Sequence, residues 1–379
     1  MVYIEKFGHG GDLLTARQLF SKDSTQLLDF SANINPLGPP PTLIELIKEQ
    51  LGSIVHYPDP AQRVLKQRLA EKHSVSSEQI LIGNGAAECI ALAILGLQPE
   101  TVGVIYPCFS EYEQLARAYG ANIQACYGRE ENDFKPNRSE ILQLIAKTDL
   151  VFVGHPNNPT GVTYSKVELI EMAEQAVKTN TYLLIDEAFI DFLPFETQIT
   201  LLEDLQRWKQ VILVRSMTKF YAIPGLRLGY LVADPNLILN LQVKQVTWSV
   251  NQMALMAGEA VLNEKEYEEA TISLIQEQRS DVKRTIEEKL GWQVFPGQAN
   301  FLLVRITADI TAADLQWRMG HKGILIRSCA MYPGLTDQDF RIAIRTKKEN
   351  QCLIQALIEV CKEGNPYDLN LCHRRNSLR

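Results

Sequence analysis

From about Ser74 to Asp234 the chain alternates short apolar, β-branched runs with longer stretches of helical character. That alternation restricts the fold more than any other feature, because strands separated by helices wind into a mostly parallel sheet covered on both faces. Candidate strands lie at 80–82, 102–106, 123–127, 150–153, 182–185, 211–214 and 229–232, and candidate helices at 86–95, 111–118, 165–178 and 201–208. Residues 235–290 carry apolar positions at helical spacing with charges between them, which predicts long amphipathic helices. The pattern then changes. Short runs at 294–295, 301–306, 324–326 and 340–344, broken by Pro296-Gly297 and Pro333-Gly334, predict a smaller sheet with helices at 312–319 and 349–361. The fold class is α/β, with a large, mostly parallel sheet and a smaller α/β C-terminal domain. Asn33-Ile34-Asn35-Pro36-Leu37-Gly38-Pro39-Pro40-Pro41 is too rich in Pro and Gly for a regular element. We therefore expect an N-terminal arm over 1–40, a large domain over 41–265 and a small domain over 266–379.

Charge limits the partners. Thirty-eight Lys and Arg against forty-five Asp and Glu leave a net charge of −7, without the basic surplus that attracts nucleic acid or anionic lipid. No apolar run approaches the roughly 20 residues a bilayer requires. The start, Met-Val-Tyr-Ile-Glu-Lys-Phe-Gly-His, lacks the charged-then-apolar order of a signal peptide, so we expect a cytoplasmic protein with no membrane partner. The seven cysteines are scattered, with no Cys-x-x-Cys pair. Neither a disulfide framework nor a metal site is expected from them, and Cys361, Cys372 and His373 in the tail lack ligand-type spacing.

Three polar motifs each follow a predicted strand, at the carboxyl ends where α/β sheets bind ligands. They are His155-Pro156-Asn157-Asn158-Pro159-Thr160-Gly161, Asp186-Glu187-Ala188-Phe189 and Arg215-Ser216-Met217-Thr218-Lys219. Singly, each reads as a Pro-rich turn, a helix cap or a solvated lysine. Together they suit an aromatic cofactor with a protonated ring nitrogen, a phenolate oxygen and an aldehyde, which is pyridoxal 5'-phosphate (PLP). Lys219 is the side chain that condenses with the aldehyde, provided its setting depresses its pKa. Asp186 keeps the ring nitrogen protonated, and the Asn158 amide donates to the ring oxygen. The phosphate needs backbone N–H groups at a helix start, hydroxyls and a fixed cation. Gly85, Ala86 and Ala87 of Gly83-Asn84-Gly85-Ala86-Ala87-Glu88 supply the first, Ser216 and Thr218 the second and Arg227 the third. Phe109 could stack on the ring or simply pack in the core.

These motifs resemble those of the fold-type I PLP enzymes, in the branch containing histidinol-phosphate aminotransferases and threonine-phosphate decarboxylases. The resemblance covers essentially the whole chain. It is narrower toward the decarboxylases of cobalamin biosynthesis through His9-Gly10-Gly11, residues 28–38, Asp186-Glu187-Ala188-Phe189-Ile190-Asp191-Phe192, residues 218–227, Trp248-Ser249-Val250-Asn251 and Ile326-Arg327-Ser328-Cys329. The aminotransferases usually carry tyrosine where Phe189 stands, a departure that favours the decarboxylase. The resemblance implies a homodimer in which Tyr57 reaches the neighbour's cofactor phosphate. It further implies that Arg341 binds the substrate carboxylate, assisted by Asn158, and that His9, Asn33 and Arg327 surround a substrate phosphate. Arg345 lies on the same strand face as Arg341 and could equally pair with a carboxylate. The implied reaction is loss of CO2 from L-threonine O-3-phosphate to give (R)-1-amino-2-propanol O-phosphate, the aminopropanol linker of cobalamin. The alternatives are amino transfer from histidinol phosphate, decarboxylation of serine phosphate, and a silent PLP-binding regulator, against which the presence of Lys219 argues.

Overall fold

In a computed structural model describing residues 10–21 and 27–362, the alternating region forms seven strands. They are β1 Ile80–Gly83, β2 Thr101–Tyr106, β3 Asn122–Tyr127, β4 Leu150–Gly154, β5 Tyr182–Asp186, β6 Val211–Ser216 and β7 Gly229–Val232. Their order across the sheet is β1-β7-β6-β5-β4-β2-β3. Strands β2 to β6 run parallel, and β7 is antiparallel to both neighbours. Every residue of β4 and β6 is buried, as expected of strands covered on both faces. The expected strands are all present, within two residues at either end. Strands β5 and β6 run on into polar Asp186 and Arg215-Ser216 because the ladder continues there, with the Glu187 N–H donating to the Val214 carbonyl at 2.8 Å.

One expected helix is of a different kind. Residues 201–208 form a 3-10 helix, Leu202–Arg207, rather than an α-helix. The Thr200 hydroxyl accepts the Leu202 N–H, and the Asp204 and Trp208 N–H groups reach back three residues, to the carbonyls of Leu201 and Leu205. So short a segment tolerates the tighter turn. By contrast, Lys166–Thr179 is an α-helix closed by a reciprocal cap between Ser165 and Glu168 and ended by Asn180 in the left-handed region.

The described residues fall into two compact units. The first comprises 34–275 and 296–300 and holds the seven-stranded sheet. The second comprises the described residues up to Asn33, 276–295 and those from Phe301 onward. The division falls inside the helix Lys265–Leu290, ten residues beyond the expected boundary at 265/266, because this 26-residue helix runs unbroken past that point. Nor do residues 10–33 behave as a separate arm. Helix Leu13–Phe20, capped by the Asp12 carboxylate on the Thr15 N–H, packs Phe20 against Trp317 and His321 at ring distances of 5.4 and 5.2 Å.

Within this second unit, Leu28–Asp29 pairs in parallel with Ile324–Leu325. The latter strand was expected in the smaller sheet. That sheet instead takes Arg327–Ser328, followed by Asp339–Ala343, Phe301–Arg305 and Gln293–Val294, all antiparallel. A two-pronged ion pair between Arg305 and buried Asp339, at 2.8 and 3.0 Å, ties its two central strands together. The helices Ala312–His321 and Lys347–Lys362 complete the unit. Among the described residues no helix is long and apolar enough to cross a membrane.

Gly320 is the tightest point of this packing, since a Cβ there would stand 2.0–2.5 Å from the Phe20 ring. Gly320→Ala is expected to cost about 1–3 kcal/mol by overpacking, read as a lower thermal midpoint. Gly52→Ala, where a Cβ meets nothing within 4 Å, is the control and should stay within about 0.5 kcal/mol of wild type.

Candidate active site

The carboxyl ends of β4, β5 and β6 stop side by side, with Gly154 in register with Asp186 and Asp186 with Val214. The three polar motifs begin there. Asp186 is 8% exposed, and both its oxygens are engaged. The Tyr112 hydroxyl donates to Oδ2 at 2.6 Å and the Ala188 N–H to Oδ1 at 3.0 Å. Burial pushes this carboxyl up, opposed by the Tyr112 hydrogen bond, the Ala188 N–H and the positive charge of Lys219. A protonated ring nitrogen set against it would offset that desolvation. Tyr112 is itself held by a parallel stack on Phe152, 4.9 Å between centroids at 6°, and by Phe109 edge-on at 5.6 Å. The sequence reading missed Tyr112, because nothing in a helical Ser110–Ala118 pattern shows which residue turns toward the sheet.

Lys219 lies in the short helix Met217–Phe220, half-buried, with Nζ 3.3 Å from the Thr218 hydroxyl. Thr218 and Ser216 are buried and share a 2.7 Å hydroxyl contact. Asn35, from the Pro- and Gly-rich run, supports this turn. Its N–H donates to the Lys219 carbonyl at 3.0 Å and its amide to the Phe220 carbonyl at 2.8 Å. After β4, Asn158 is partly buried, while its neighbour Asn157 locks the turn by donating to Pro107 O and Thr160 Oγ1 at 2.8 and 2.9 Å. His155 clamps the same turn, accepting the Tyr164 N–H at Nδ1 and facing the Ile199 carbonyl through Nε2 at 2.7 Å. A ring so bonded is neutral, and burial holds it down at about 4.

The residues expected to hold a phosphate pack closely around two glycines. Gly85 has φ +86, and a Cβ on it would stand 2.5 Å from Nη2 of Arg227. A Cβ on Gly229 would stand 2.5 Å from the Ala86 N, the first residue of helix Ala86–Leu97. Backbone N–H groups of a helix start therefore meet a guanidinium, an arrangement that attracts a dianion. With Lys219 and Asp186 at the neighbouring strand ends, these residues fit PLP. Tyr57, by contrast, is 79% exposed and stacks on Trp248 at 4.5 Å.

The second unit holds the remaining candidates. Arg327 and Arg341 are 1% and 5% exposed and directly opposite in antiparallel register, so both point from one face of the sheet. Arg341 donates to the Ser31 carbonyl at 2.7 Å and lies over Phe301, and Arg327 lies over Tyr332. Asn33 is buried in the same unit. Arg345 bonds the Asp29 carbonyl and Glu349, a structural pairing. His9, Cys372 and His373 lie outside the described residues, and Cys361 is an exposed thiol. Among the described residues no group of three or more His, Cys, Asp or Glu is placed to hold a metal ion.

Gly85→Ala should weaken PLP binding by about tenfold or more, measured by absorbance titration, since it strains a left-handed residue and displaces Arg227. His155 makes stability depend on pH. Its folded pKa of about 4 lies below the ordinary value near 6.5, so the unfolded chain binds the proton first and stability falls as pH drops from about 6.5 toward 4. A His155→Asn variant should show a smaller change in thermal midpoint between pH 7 and 5 than wild type.

Comparison with known proteins places the chain in a family. Residues 25–357 match the family model described as aminotransferase class I and II. The chain is 38% identical to the threonine-phosphate decarboxylase of Salmonella typhimurium over 95% of its length and 98% of the relative's. The solved L-threonine-O-3-phosphate decarboxylase from Porphyromonas gingivalis superposes with a TM-score of 0.79 at 26% identity, covering 88% of this chain and 99% of that one. The histidinol-phosphate aminotransferase from Clostridium acetobutylicum superposes at 0.83 with 31% identity and the same coverage. This chain belongs to the class I and II aminotransferase family.

Proposed function

We propose that the protein is a PLP-dependent decarboxylase that converts L-threonine O-3-phosphate into (R)-1-amino-2-propanol O-phosphate and CO2, supplying the aminopropanol linker of cobalamin. The observation that carries this reading is the pair of buried arginines, Arg327 and Arg341, side by side on one sheet face. Two adjacent cations suit a doubly anionic amino acid, threonine phosphate in the decarboxylase reading and glutamate in the aminotransferase one. The 38% identity to a threonine-phosphate decarboxylase favours the first.

PLP, when bound, supplies an electron sink for whichever Cα bond stands perpendicular to its conjugated plane. The chain's own residues decide which bond that is. Asp186, held by Tyr112 and Ala188, keeps a proton at the ring nitrogen. In this proposal Arg327, Asn33 and His9 would hold the substrate phosphate and Arg341, with Asn158, the carboxylate, and binding energy from the remote phosphate would serve to orient the bond that breaks. The bond between Cα and the carboxylate breaks, CO2 leaves, and Lys219 or a water it positions returns a proton to Cα. Phe189 stands 6% exposed beside Phe192 and places no phenol near the ring oxygen.

We further assign a homodimer in which Tyr57 reaches the partner's cofactor phosphate. Support comes from exposed apolar side chains flanking the Tyr57–Trp248 stack, with Val55 at 77%, Val243 at 79% and Val246 at 74%. Scattered free thiols suit the reducing cytoplasm as the site of action.

Similarity to a histidinol-phosphate aminotransferase favours a second reading, amino transfer to 2-oxoglutarate. Measured side by side, CO2 release from threonine phosphate should exceed glutamate formation from histidinol phosphate by orders of magnitude, and the reverse ratio would overturn the decarboxylase. Serine phosphate, lacking one methyl, should react more slowly by the equivalent of about 1–3 kcal/mol. Arg327→Ala should raise KM for threonine phosphate by about 30-fold or more, the cost of an unpaired charged group.

A further inference from the structure

The front of the sheet carries Asp186, Ser216 and Gly229, and the residue after or before each points to the back. Side chains alternate along a strand, so Glu187, Arg215 and Tyr230 share the opposite face of β5, β6 and β7. Register brings them together. Arg215 is the direct partner of Tyr230, and Asp186 that of Val214, which sets Glu187 beside Arg215.

There the side chains form a buried polar tier. Glu187, with no exposed surface, accepts from Arg215 Nε at 2.9 Å and from the Thr200 hydroxyl at 2.5 Å. Arg215, 5% exposed, also reaches Asp191 at 3.3 Å. The Tyr230 hydroxyl meets His73 Nε2 at 2.6 Å, and burial together with the charges of Arg215 and Lys72 holds that ring at about 3, so it stays neutral. None of these groups faces the cofactor.

A buried ion pair is weak as a device for stability alone, because desolvation cancels most of the attraction. Arg215 here spans two carboxylates, Nε on Glu187 and Nη1 on Asp191, and charge-assisted hydrogen bonds to two groups are strong as a positional constraint. We propose that Glu187 and Arg215 are positioning residues, clamping the ends of β5 and β6 from behind so that Asp186 and Ser216 are held in register toward the cofactor. This rests on the PLP reading above.

The test uses the PLP-loaded protein well below its melting temperature, with Glu187→Gln and the milder Thr200→Val, which removes one hydrogen bond and keeps the charges. Two readouts are followed, the PLP dissociation constant and the pH at which the bound cofactor's visible absorbance changes. A positioning role predicts binding weaker by about tenfold or more in Glu187→Gln and a few-fold in Thr200→Val, with the absorbance midpoint displaced in both. Arg215→Lys, which keeps the charge and loses the fork, should fall between wild type and Glu187→Gln. Thr200→Val that melts lower yet binds PLP within about twofold of wild type at an unchanged midpoint would overturn the clamp, whether or not Glu187→Gln folds. Wild-type protein that takes up no PLP would instead sink the functional reading itself.

Discussion

Everything in this site depends on the parallel register of β4, β5 and β6, whose carboxyl ends stop together. Each strand is buried on both faces, so it cannot slip without exposing apolar side chains or burying polar ones. The register therefore fixes, to within a side-chain length, where an amide, a carboxylate and an amine project. Chemistry is placed by packing that has nothing to do with chemistry.

Onto this frame the chain adds buried charge in separate places. Asp186 is desolvated and held by two donors, and two arginines lie opposite one another in the second unit. In an ordinary core each would be a liability. The proposed ligands bring charges that suit both places, a protonated ring nitrogen in one and a doubly anionic amino acid in the other. Gly85 and Gly229 answer a steric demand instead, since a Cβ on either would collide, with the Arg227 guanidinium in one case and with the Ala86 N in the other.

The legible part of the sequence was what periodicity and local chemistry encode. Strand positions, the Asp186 and Lys219 motifs and the Gly83-Asn84-Gly85 turn were all visible, because strand alternation and turn residues act over a few positions. What stayed hidden depends on long-range pairing. The strand Leu28–Asp29 is too short to leave a pattern, and its pairing with Ile324–Leu325 joins segments nearly 300 residues apart in the chain. Tyr112 reads as one more residue of an amphipathic helix until its partner Asp186 is known. Asn35 looked like a loop residue and turned out to brace the carbonyls of Lys219 and Phe220. A division expected at 265/266 falls instead ten residues further on, within one continuous helix, since composition does not report which half of a helix packs where.

The central claim is that one amine, on Lys219, carries the cofactor. Borohydride reduction of the PLP-treated protein followed by peptide mass mapping tests it directly. The account predicts a phosphopyridoxyl group on the peptide containing Lys219 and on that lysine alone. Modification of a different lysine, or none at all in protein that has bound PLP, would contradict it.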